Sequence, residues 1–147
     1  MPSSHNAATL RGCGGVAVEL LSDAFQLPAL RTSVPEARRR VTAALREWGA
    51  VEQVRDDAEL VVSELFTNAV RHTDSEQVHC ELTLDGTRLR VAVTDQGHSD
   101  SRPRAQPRST DRECGRGLLL VGALSEDWGE RPADTGRGRV VWADLAY

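Results

Sequence analysis

The chain of 147 residues contains no lysine; all 18 of its Lys-plus-Arg positions are arginine. That absence excludes a phosphate-binding loop of the G-x-x-x-x-G-K-[ST] type, and it excludes Schiff-base chemistry through a side-chain amine. Any nucleotide bound here must have its phosphates met by backbone amides, guanidiniums and a metal ion. A very GC-rich coding sequence would also replace lysine by arginine, so the absence alone names no function. Cysteine is scarce too. Cys13, Cys80 and Cys114 are odd in number and show no paired spacing, which leaves reduced thiols rather than a disulfide framework or a zinc site. No apolar run reaches membrane-spanning length, and the N-terminus lacks a charged-then-apolar secretion signal, so no membrane contact and a cytoplasmic location are expected. The net charge of −4 lacks the basic excess of a bulk nucleic-acid binder.

What is present, 39% hydrophobic and 27% charged residues, suits one soluble domain with its own core. The small, polar, glycine-bearing start predicts a variable, flexible extension over 1–22, with the folded domain over 23–147. Within the boundary region, VAVELL suits a short strand or a helical turn, and AFQLPALRTSV reads as a strand that Pro28 confines to an edge. A first helix follows. Ser33 is expected to cap it in a capping box with Glu36, Pro35 sits in its first turn, and Gly49 stops it. Ala37, Val41, Ala44, Leu45 and Trp48 would form its buried face, while Arg38, Arg39 and Arg40 make a basic run that is either a solvated face or a partner surface.

The most informative stretch is DDAELVVSELFTNAVRHTD, residues 56–74. Asp56 or Asp57 would cap a helix whose Leu60, Val61, Leu65 and Ala69, with Val62 or Val70, give a buried stripe. Glu64 and Asn68 are four apart and share a face, and His72 continues that line one turn later. A carboxylate and an amide stacked beside an apolar stripe are either a surface pair joined by a local hydrogen bond or a site. In a site, the carboxylate handles a proton and the amide oxygen helps hold a hard cation.

Beyond it, QVHCELTL and RLRVAVTD alternate about a tight hairpin at Asp85-Gly86. Leu89, Val91 and Val93 fall on one face, and the second strand ends at Asp95-Gln96-Gly97, either a turn or a carboxylate presented to a ligand. Residues 98–114 have no apolar periodicity, and a loop of that length in a small domain is functional or disordered. Gly115 and Gly117 then lead into an apolar helix of Leu118, Leu119, Val121 and Leu124. Glycines at a helix start let backbone amides approach an anion, although a lone G-x-G is more often a turn. Trp128 opens the next strand, and GRGRVVWADLAY closes the chain as another after a turn over 134–138. The order predicts an α+β fold, a two-layer sandwich of helices on a largely antiparallel sheet.

Helical E-x-x-x-N at Glu64 and Asn68, D-x-G at Asp95 and Gly97, and G-x-G-L at Gly115 to Leu118, in that order, resemble the Bergerat ATP-binding fold of histidine-kinase-like ATPases. The short form, with ELFTNAVRH and GRGLLLVGALSEDWG, is most similar to the anti-sigma factor serine kinases and their actinobacterial relatives. The resemblance implies ATP and Mg²⁺ as cofactors. Asn68 would ligate the metal, Glu64 would be the general base, and Asp95 with Gly97 would receive adenine. Gly115, Arg116, Gly117 and Leu118 would meet the phosphates under a lid formed by 98–114, and His72 would be structural. It further implies a serine/threonine kinase and anti-sigma factor whose partners are an antagonist protein or a sigma factor, with homodimerisation in prospect and no direct nucleic-acid contact. The alternative is a partner-sequestering module of the same fold with weak or lost catalysis. Two departures bear on nucleotide affinity: Ser99 stands where the adenine motif continues to a second glycine, and Val140 is expected in place of a threonine near the base.

Overall fold

The computed structural model describes residues 5–11, 17–71, 76–96, 119–134 and 136–147. Among the described residues, six strands form one sheet in the order β1-β2-β3-β4-β6-β5, every neighbouring pair antiparallel. They are β1 (His5–Arg11), β2 (Ala17–Pro28), β3 (Gln77–Asp85), β4 (Arg88–Asp95), β5 (Asp127–Pro132) and β6 (Arg139–Ala146). Two helices, α1 (Val34–Glu47) and α2 (Glu52–Arg71), pack against each other, and α2 lies over β4 and β6. The two-layer α+β sandwich expected from the sequence is the observed architecture.

Strand alternation decides which residues face the helices. Val78, Cys80, Leu82 and Leu84 of β3, Leu89, Val91 and Val93 of β4, and Val141, Ala143 and Leu145 of β6 are all buried there. They meet Ala37, Val41, Ala44 and Leu45 of α1 and Val61, Val62, Leu65, Phe66 and Ala69 of α2 in a single core. The opposite face of the sheet carries polar groups. There the Arg90 guanidinium donates to both carboxylate oxygens of Asp144, at 2.7 and 2.9 Å, while lying 4.2 Å from the Trp142 ring centroid. That pair, together with Arg88 at 4.0 Å, gives the Asp144 carboxylate charge-assisted partners at 2% exposure.

Several local expectations are corrected. The proposed 22/23 division falls inside β2, and His5–Arg11, assigned to the extension, pairs along β2 as β1. Because β1 covers it, β2 is an interior strand; Pro28 is tolerated as its last residue, opposite Gln77. Ser33 makes no side-chain cap bond, since the 3-10 turn Arg31–Ser33 already holds it in a helical conformation. Glu36, freed from a capping box, pairs instead with Arg39 and Arg40. Helix α2 begins at Glu52, a turn before the expected aspartates, and Leu60 is 40% exposed while Phe66 takes a core position. The hairpin is as read, with Gly86 at φ +66 between the closing pair Asp85 and Arg88.

Burial pushes the Cys80 thiol up to about 12. We expect Cys80 to resist alkylation at pH 8 in the native state, measured by mass spectrometry of its peptide, and to react only on unfolding. The folded value lies above the ordinary thiol value of about 8.5, so this contribution to stability is complete below that pH and declines as pH rises toward the folded value.

Candidate functional site

Helix α2 presents Glu64 and Asn68 one turn apart, both half-buried, beside the buried Val61, Leu65 and Ala69. They emerge at the border of the core, where a polar head reaches solvent while its stem packs. The half of α2 that carries them runs toward Arg71, from which only residues 72–76 lead to β3. Even fully extended, that connection spans about 20 Å. The second residue of β3, Val78, lies in register with Asp95, the last residue of β4. Glu64 and Asn68 thus lie on the half of α2 that leads into β3, and Asp95 ends the strand paired with the start of β3.

Asp95 is 9% exposed and continues the helix-facing series Leu89, Val91, Val93. A second segment reaches it. The turn between β5 and β6 brings Gly138, at φ +83, so close that a Cβ there would lie 2.1 Å from the Asp95 carbonyl oxygen. Glycine is required twice over at this position, by backbone conformation and by contact. The β4–β6 ladder ends at Thr94 opposite Val140, so the next position in register sets Arg139 opposite Asp95.

Val140 shares its face with Thr94, Ala92 and Trp142, on the side of the sheet away from the helices. The Arg139 Nη1 donates to Glu130 Oε1 at 2.8 Å. Gly138 and Arg139 were not singled out from the sequence. The available signal was the repeated glycine of GRGRVVW directly before an apolar strand.

Of the proposed site residues, the structure places Glu64, Asn68 and Asp95. Gly97, Gly115, Arg116, Gly117 and Leu118 lie outside the described residues, as do His72 and the proposed lid over 98–114. Downstream, a helical stretch occupies 119–124, with Val121 buried and Leu119 74% exposed instead of on the expected apolar face. Among the described residues, no group of three or more His, Cys, Asp and Glu side chains could hold a metal by itself. Mg²⁺ in nucleotide sites takes one or two protein oxygens and completes its shell with phosphates and water. The Asn68 amide oxygen with Glu64 one turn away fits that donor set. Also among the described residues, no helix is long and apolar enough to cross a membrane.

A family model described as a histidine kinase-like ATPase domain matches residues 27–144. Comparison with curated proteins gives no match.

Proposed function

The chain belongs to the histidine kinase-like ATPase family, and on that premise we propose that it is an ATP-dependent serine/threonine kinase that regulates a sigma factor through an antagonist protein. The observation that supports the reading is a half-buried Glu64 and Asn68 one turn apart on α2, with Asp95 buried at the helix-facing end of β4.

Each residue has a physical role. Asp95 accepts a hydrogen bond from the adenine amino group, and its burial beside the Gly138 turn makes that bond selective. Mg²⁺ would neutralise charge on the phosphates, and Asn68 would be the side chain that holds it. Glu64 accepts the proton of a seryl hydroxyl as its oxygen bonds to the γ-phosphorus and the bond to the departing ADP breaks. Gly97 would leave room for the base, and the amides of Gly115 to Leu118 would meet the phosphates. The phosphoserine so formed carries nearly two negative charges, enough to break an interface by repulsion and desolvation.

The test is a calorimetric ATP titration with and without Mg²⁺ on the wild type, Asn68→Ala and Asp95→Ala. Asn68→Ala should lose the Mg²⁺-dependent part of the affinity, about tenfold for one charge-assisted contact. Asp95→Ala should bind ATP and GTP with equal weakness. Wild-type affinity that ignores both Mg²⁺ and the identity of the base would refute the assignment.

A further inference from the structure

On the flank of α1 turned away from the sheet, a groove of about 490 Å³ runs along the helix to Glu59 of α2. Its rim and floor are Arg38, Arg39 and Arg46, with the small Pro35, Thr42 and Ala43 between them. Three arginines thus face one carboxylate on a chain whose net charge is −4. That carboxylate is already engaged: Glu59 lies 3.7 Å from Arg38 and accepts a hydrogen bond from the Thr42 hydroxyl at 3.1 Å. Glu36 is shared between Arg39 and Arg40. Arg46 has no acidic partner among the described residues.

We propose that this groove docks an acidic α-helix of a partner protein. Eight residues separate Arg38 from Arg46, about 12 Å along the axis or a little over two turns, so carboxylates two turns apart on a facing helix would meet both ends. Thr42 and Ala43 leave room between those ends for the partner's small side chains. Duplex nucleic acid fits less well, because it brings a charge every ~1.7 Å against a chain that is negative overall. Contacts of this kind set register and association rate and are sensitive to salt. The inference adds a partner surface to the regulatory reading above and rests on it for the existence of a protein partner.

The test uses the full chain and a fluorescent, alanine-based helical peptide carrying two glutamate pairs two turns apart, followed by anisotropy at low salt. Wild type should bind saturably, the double variant Arg38→Glu/Arg46→Glu at least about tenfold more weakly, and added salt should weaken only the wild type. Ala43→Trp, which fills the groove without changing charge, should also block the peptide, whereas Arg31→Glu, outside the groove, should not. All variants should bind ATP as the wild type does. Equal peptide binding by the charge-reversed double variant, no saturable binding by the wild type, or displacement by duplex DNA at matched salt would each overturn the proposal. A wild type that took up the peptide but not ATP would support it while refuting the nucleotide reading.

Discussion

Gly138→Ala should lower stability by at least ~3 kcal/mol and remove selective ATP binding together with it. Two costs add. A non-glycine residue at φ +83 carries left-handed strain of about 1–2 kcal/mol. The new Cβ would also fall 2.1 Å from the Asp95 carbonyl oxygen and 2.9 Å from the carbonyl carbons of Asp95 and Gln96, all backbone atoms with no rotamer to yield. Relief requires the β5–β6 turn and the end of β4 to part, and that displaces the carboxylate proposed to read adenine. Gly136 supplies the control, since at φ +84 it has open space around its would-be Cβ, so Gly136→Ala incurs the strain alone. Thermal unfolding should place Gly138→Ala roughly 10 °C below the wild type and Gly136→Ala only a few degrees below. Equal melting of the two variants would mean that Gly138 and Asp95 do not touch.

That contact was invisible in the sequence, and the reason is instructive. The two long helices and the β3–β4 hairpin were legible because their signals are local: Ala37, Val41, Ala44 and Leu45 repeat at helical spacing, and Gly86 sits between two alternating runs. The site residues on those elements, Glu64, Asn68 and Asp95, inherited that legibility. β6 offers no such parity. Val140 and Val141 are both buried although they point to opposite faces, so apolar character could not say which of them shares a side with Asp95. The register does: Val141 lies on the side of Asp95 and Val140 on the other. β1 was missed because its pairing with β2 is made by backbone groups, which small polar residues such as those of HNAATLR form without a hydrophobic signature. At Ser33 the capping-box pattern was present, but the 3-10 turn before it removed the geometry that the pattern needs.

Glu64→Gln should leave ATP affinity nearly unchanged and slow phosphoryl transfer by about 10²–10⁴-fold. Glutamine keeps the length, shape and hydrogen-bonding reach of the side chain, so the half-buried site beside Leu65 is not repacked. What disappears is the carboxylate proposed to take the hydroxyl proton as the new phosphate ester forms. Glu64→Asp retains that basicity but draws the carboxylate back by about 1 Å, and should fall between the two, since a misplacement of that size can itself cost ~10²-fold. Single-turnover formation of ADP from labelled ATP, with the proposed antagonist protein as acceptor, measures all three. The order wild type, aspartate, glutamine at equal ATP affinity is the signature of a general base; a carboxylate needed only for packing would lose binding and rate together. The remaining outcome is equally decisive. A wild type that binds ATP yet forms no more ADP than Glu64→Gln, while both still hold their partner, would make the chain a sequestering module in which the α2 carboxylate and amide serve nucleotide binding alone.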